Sequence, residues 1–246
     1  VRYGIGVDNV DLKAAKEKGI PVCNVPDYCI QEVADHTIAL AFSLARQLKA
    51  TERRIHLGVW KITPPLPLPP FREMVFGTMG YGRIAREVLK RARAFGFKLA
   101  AYDPFIKDEV MLSDGVTSLS KNQLLKESDI ISLHLPLNEE TAHLINENTL
   151  ALLKPHAFII NTARGGLVDN DALAKALNKQ QLGGAGLDVF EKEPLPENYP
   201  LMQCENAILT SHTAWYSASS VPVLQRMATE EVIRALNGKP LKNRVA

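Results

Sequence analysis

Short stretches that are apolar throughout alternate, along most of this chain, with longer stretches whose apolar positions recur at helical spacing. MVFGTM (74–79) runs into a helix expected at about 83–95. KLAAYD (98–103) reads as the next strand, then a helix near 120–126, then the strand DIISLHL (129–135). AFIIN (157–161), a helix at about 170–181, GAGLDVF (184–190) and AILTS (207–211) complete the series. Strands without polar alternation, separated by helices, predict a parallel sheet covered on both faces. That is a doubly wound α/β architecture.

The flanks differ. Residues 1–27 read as strand, helix, strand: RYGIGV, VDLKAAKEKG and PVCNV. Residues 216–237 read as a helix with an early Pro222, closed by Gly238. The pattern therefore predicts a small domain from 1–27 and 217–246, and a larger one over 28–216. Between the first flank and the strand series, residues 30–56 read as one long helix. Its apolar residues (Ile30, Val33, Ile38, Leu40, Phe42, Leu44, Leu48) lie on more than one face. Such a helix needs cover from its own domain and from something else, so a homodimer through 30–56 is expected. The stretch TPPLPLPPF (63–71) reads as a rigid connecting loop rather than a polyproline ligand. No internal repeat is present.

Bulk properties add exclusions. The 246 residues are 46% hydrophobic and 23% charged, with a formal net charge of +2. Without a long basic block, charge does not point to nucleic acid. No apolar run approaches the ~20 residues of a membrane span, and the start has no signal-like apolar region. Cys23, Cys29 and Cys204 are odd in number and lack CxxC spacing. They suit a reducing cytoplasm better than a disulfide framework or a zinc site.

The first chemical motif is Gly80-Tyr81-Gly82-Arg83-Ile84-Ala85, between a strand and a helix. This GxGxxA turn is the Ala-ended dinucleotide fingerprint of the Rossmann fold. Gly80 permits the tight turn, Gly82 lets a pyrophosphate approach the helix N-terminus, and small Ala85 permits close packing. Asp103 ends the next strand about 20 residues on, where a carboxylate takes ribose hydroxyls. It would repel a 2′-phosphate, which favours NAD over NADP, although Arg83 in the turn can contact phosphate.

Three later segments follow successive strands: NTARGG (161–166), DVFEKEP (188–194) and SHTAWYS (211–217). Loops at the C-terminal ends of parallel strands converge on the ligand crevice. Taken alone, His212 can be a structural histidine, a metal ligand or a proton donor, and Arg164 or Glu193 can be surface residues. Taken together, they match the needs of hydride transfer to a 2-keto acid. Arg164 supplies a planar cation for the carboxylate. His212 supplies an imidazole, the side-chain type suited to proton donation near neutrality, and Glu193 can orient it. No second ligand lies at metal spacing from His212, so no metal is expected.

"GTMGYGRIA", "AYDP", "SLHLPLNEET", "NTARGGLVD", "LDVFEKEP" and "LTSHTAWYS", in this order, resemble the D-isomer-specific 2-hydroxyacid dehydrogenase family over essentially the whole chain. "HTAWYS" and "VCNVP" most resemble its C-terminal binding protein-like branch. The resemblance implies a catalytic set of Arg164, Glu193 and His212. It implies cofactor contacts at Thr37, Gly80, Gly82, Arg83, Ile84, Asp103, Pro136, Thr141, Thr162, Ala163 and Asp188. Substrate would meet Ile5, Gly6, Arg164 and Trp215, the last walling the pocket beside His212. The expected activity is NAD-dependent interconversion of D-2-hydroxy and 2-keto acids, with an NAD(H)-sensing interaction module as the alternative. The second domain would be flavodoxin-like and truncated, because the family's substrate domain begins well before the position matching Val1. A chain beginning there is expected to bind NADH but to turn over 2-keto acids poorly.

Overall fold

The structure is a computed structural model describing residues 1–246. The chain divides into two compact units, Val1–Glu32 with Trp215–Ala246, and Val33–Ala214. Residues 28–32 and 215–216, expected in the larger unit, lie in the smaller one.

In the smaller unit the first helix, α1 (Leu12–Glu17), starts where the Asp11 side chain accepts from the Ala14 N–H at 2.8 Å. The strands expected on either side of it do not form a ladder. Residues 2–4 and 23–25 instead share two parallel backbone bonds, Arg2 N to Cys23 O and Val25 N to Gly4 O. Cys23 also makes an isolated antiparallel bridge with Arg244. Gly4 at φ 139° turns the first segment out of extended geometry, and Pro21 and Pro26 flank the second without N–H groups to donate.

The expected 30–56 helix is two helices, α2 (Ile30–Ala45) and α3 (Leu48–His56). Gln47 separates them in the left-handed region at φ 53°, a conformation no helical periodicity reveals. The apolar faces of α2 are covered within the chain. Val33, Ala34, Ile38, Leu40, Ala41 and Leu44 are buried. Phe42 sits in an aromatic cluster, its ring centroid 5.0 Å from Phe71, 4.5 Å from Phe95 and 6.0 Å from Phe97. Close ring pairs of this kind add about 0.5–1.5 kcal/mol each beyond their burial. The surplus apolar surface lies further along, at Leu48, Ile55, Leu57, Trp60 and Ile62.

The larger unit then runs β1 (Val75–Met79), α4 (Arg83–Ala94), β2 (Lys98–Tyr102), α5 (Asp108–Ser113), β3 (Thr117–Ser118) and α6 (Lys121–Glu127). It continues with β4 (Ile130–Leu133), α7 (Glu147–Leu150), β5 (Phe158–Asn161), α8 (Asn170–Asn178), β6 (Gly184–Leu187) and β7 (Ala207–Leu209). Every neighbouring pair of strands is parallel, in the order β3-β2-β1-β4-β5-β6-β7. Alternate residues of each strand feed opposite faces. Ile131, Leu133, Ile159 and Leu187 join one buried cluster; Phe76, Leu99, Ile130 and Ile160 join the other. The order reverses between β1 and β4, the switch point at which doubly wound sheets bind ligands.

The last helix, α9 (Ser220–Leu236), returns to the smaller unit. Its start is held by Ser217, whose hydroxyl accepts from Ser220 N at 2.9 Å and donates to Glu32 at 2.7 Å.

Candidate active site

The turn after β1 is built to leave a helix end bare. Gly80 lies at φ 98°, and a Cβ there would fall 2.5 Å from the His134 carbonyl oxygen. Gly82 caps α4 without any side-chain hydrogen bond to the first turn, and a Cβ on it would meet nothing within 4 Å. The space beside the start of α4 is therefore open enough for a diphosphate to approach the helix N-terminus. Arg83 and Ile84 are the first two residues of that helix. Tyr81 is buried, its hydroxyl donating to Asp114 at 2.7 Å under the Arg86 guanidinium. Burial and the Asp114 carboxylate push its phenol up to about 12.

Asp103 is oriented by the same turn. One carboxylate oxygen accepts from Tyr81 N at 2.8 Å and the other from Phe105 N at 2.9 Å. Each oxygen keeps a lone pair for a ribose hydroxyl. The open helix end and the oriented acid fit a dinucleotide.

The loops after β4 and β5 follow in that order along the sheet. Thr141 donates to the Pro136 carbonyl at 2.7 Å and accepts from Asn138 N, which fixes the 136–141 loop. Thr37 on α2 is fully buried, and its hydroxyl donates to Val33 O at 2.7 Å. Its 2.8 Å contact with Thr162 must then carry the Thr162 proton. Thr37 thus stands behind Thr162. Asn161 was not anticipated: fully buried, it accepts from Ala163 N and donates to the Arg164 carbonyl, shaping the turn that presents Arg164. A polar residue closing an apolar strand was the available signal. Gly165 was missed as well, and it lets this turn pack against the Phe190 backbone.

The loops after β6 and β7 meet at an ion pair. His212 Nδ1 lies 2.7 Å from Glu193 Oε2, and the other Glu193 oxygen accepts from Phe190 N at 2.9 Å. Both side chains are partly open to solvent. His212 adopts φ 54°, unusual for a non-glycine residue. Its N–H donates to the Asp188 carbonyl, while the fully buried Asp188 carboxylate accepts from Thr213 N and Ala214 N. Asp188 is therefore the anchor of the His212 loop.

The remaining expected site residues belong to the smaller unit. The Ile5 carbonyl accepts from Asn24 Nδ2 at 2.8 Å, and Gly6 follows it in the same loop. Trp215 packs against Tyr28 and Tyr216, with centroids 6.1 and 5.7 Å away.

A carboxylate-held imidazole on the same sheet edge as a bare dinucleotide turn is the equipment of a nicotinamide-dependent oxidoreductase. Comparison with known proteins carries this further. Residues 38–214 match the model of the D-isomer specific 2-hydroxyacid dehydrogenase, NAD binding domain. A glyoxylate reductase of Korarchaeum cryptofilum is 37% identical over 241 residues, covering 97% of this chain and 73% of the relative. A D-3-phosphoglycerate dehydrogenase of Methanocaldococcus jannaschii is 38% identical over 243 residues, covering 98% of this chain and 46% of the relative. The crystal structure of a D-lactate dehydrogenase from Aquifex aeolicus, complexed with NAD and lactic acid, superposes with a TM-score of 0.90 at 34% identity. That match covers 96% of this chain and 75% of the crystallised one. The chain belongs to the D-isomer specific 2-hydroxyacid dehydrogenase family. It is an NAD-dependent oxidoreductase, and these relatives do not favour the interaction-module alternative.

Proposed function

We propose that this protein reduces small 2-keto acids to D-2-hydroxy acids with NADH, and catalyses the reverse oxidation. The 2.7 Å pair between His212 and Glu193 carries this reading. When bound, the cofactor supplies the hydride. Arg164 holds the substrate carboxylate through its planar guanidinium and polarises the keto oxygen. With Nδ1 occupied by Glu193, His212 has Nε2 free to give a proton to the oxygen as the carbonyl carbon gains hydride. In oxidation the same nitrogen takes the hydroxyl proton. Asp103 and the α4 N-terminus hold ribose and pyrophosphate, while Pro136, Thr162, Ala163 and Asp188 wall the nicotinamide. The relatives named for glyoxylate and lactate support a small acid as substrate.

The test is NADH oxidation with glyoxylate, pyruvate and bulkier 2-keto acids, followed by chiral analysis of the product. Arg164→Ala should raise KM and lower kcat together, and His212→Ala should act mainly on kcat. A protein that binds NADH tightly yet oxidises it with none of these acids would overturn the assignment.

We also propose that two copies associate in the cytoplasm. Leu48 and Ile55 within residues 30–56, and Leu57, Trp60 and Ile62 just beyond them, are exposed large apolar side chains that a second copy would cover. The buried, unpaired cysteines suit a reducing compartment. Sedimentation of the protein and of Trp60→Asp checks the association; a monomer at micromolar concentration would refute it.

A further inference from the structure

His36 and Thr210, on the α2 side of the site, have no part in the proposed reaction, yet they form a polar chain that ends on Asp188. His36 Nε2 lies 3.0 Å from Thr210 Oγ1, and Thr210 Oγ1 donates to Asp188 Oδ1 at 2.5 Å. The carboxylate has no proton to give, and the single hydroxyl proton points at it. His36 Nε2 must therefore be protonated and donate to Thr210. The His36 side chain is only 25% exposed, and Nε2 lies 3.6 Å from the same Asp188 oxygen.

The end of this relay matters because of what Asp188 holds. Within five residues, Thr210 donates a hydroxyl to Asp188, Thr213 and Ala214 donate N–H groups to its carboxylate, and His212 donates its N–H to the carbonyl. His212 sits in the left-handed region, a conformation that persists only where its surroundings over-determine it. A Thr210 hydroxyl released from His36 is free to turn to another rotamer. The carboxylate then loses one of the bonds that keep it facing the His212 loop.

We propose that His36 is a positioning residue for proton transfer: through the Thr210 hydroxyl it locks Asp188, and through Asp188 it fixes the backbone that presents His212. The inference rests on the dehydrogenase reading for its kinetic consequence, but its structural core does not.

Two arms test it. In the kinetic arm, His36→Leu should lower kcat about tenfold, the worth of one buried hydrogen bond. The KM for the 2-keto acid should stay within about twofold. His36→Gln, whose amide nitrogen reaches as far as Nε2, should restore most of the rate. Thr210→Val should cost as much as His36→Leu, and the double variant should cost no more than either single one. The second arm needs no turnover: amide hydrogen exchange at His212, Thr213 and Ala214 should quicken about tenfold in His36→Leu and return in His36→Gln. Unchanged exchange at these three amides would overturn the proposal, as would single-variant losses that multiply in the double variant. If the unmodified protein oxidises NADH with no 2-keto acid while exchange responds as described, the dehydrogenase reading fails and the positioning relay stands.

Discussion

Gly165 and Phe190 touch through their backbones: a Cβ at position 165 would lie 1.9 Å from the Phe190 carbonyl carbon and 2.0 Å from its oxygen. The Arg164 turn and the loop carrying Glu193 are thereby pressed together without an intervening side chain. Gly165→Ala cannot be absorbed by a rotamer change, because the three nearest atoms it meets are all main chain. It should destabilise the protein by about 3 kcal/mol, the upper range for overpacking. Gly82→Ala makes the contrasting control, since its Cβ meets nothing within 4 Å. It should unfold like the parent but bind NADH at least about tenfold more weakly, because the methyl occupies the space a diphosphate needs. Urea unfolding and NADH fluorescence titration of both variants check the pair.

Cofactor discrimination should trace to Asp103. Its carboxylate is pinned by Tyr81 N and Phe105 N, so it cannot swing away from a 2′-phosphate. In Asp103→Ala the preference for NADH over NADPH should narrow by about tenfold or more, some 1.4 kcal/mol. Equal binding of both cofactors by the unmodified protein would remove the basis for this role.

Glu193→Gln keeps the hydrogen-bonding shape of the ion pair but removes its charge. An imidazolium at His212 then loses its stabilising partner. Reduction needs the charged ring, so its rate should fall away at lower pH than in the parent. Oxidation needs the neutral ring, so its acidic limb should move to lower pH as well. Superimposable pH–rate profiles for parent and variant would refute the pairing.

His134 gives the fold an acid-sensitive point. Desolvation lowers its imidazole from about 6.5 to about 3, and Nε2 bonds the Ser132 hydroxyl at 2.9 Å. Between those values the unfolded chain binds a proton that the native chain refuses. Native stability therefore declines as pH falls from about 6.5 towards about 3, by at most about 1.4 kcal/mol per pH unit. His134→Gln should flatten this decline. Urea midpoints at pH 6.5 and 4.5 measure it, and an equal drop in both proteins would assign the acid sensitivity elsewhere.

In the smaller unit, the buried Glu231 accepts from Lys242 N at 2.6 Å and Asn243 N at 3.2 Å. These bonds hold the terminal segment against Val22–Asn24, where Val22 N donates to Ala246 O and Asn24 N to Asn243 O. Glu231→Leu should loosen that pairing by about 2 kcal/mol, the usual cost of losing hydrogen bonds to a charged group. The amides of Val22, Asn24 and Val245 should exchange faster while those of the parallel sheet keep their protection.

Much of the larger unit was legible in the sequence. The apolar runs marked six of the seven strands, because a strand buried on both faces must be apolar along its whole length. The GxGxxA turn and Asp103 were readable because their chemistry depends on local backbone geometry and short spacing. Arg164, Glu193 and His212 stood out by chain order, each after its own strand, and the structure pairs Glu193 with His212. Tertiary structure decided the rest. Gln47 enters the left-handed region and divides a helix that periodicity reads as continuous. Phe42 looks like surplus apolar surface until Phe71, Phe95 and Phe97 close over it. The two expected N-terminal strands depended on partners that their own residues do not specify. Asn161, Gly165, His36 and Thr210 gained their roles only when distant loops met at one sheet edge. Periodicity and motif spacing record what a residue does with its near neighbours in the chain; only the fold specifies which remote backbone or carboxylate it will touch.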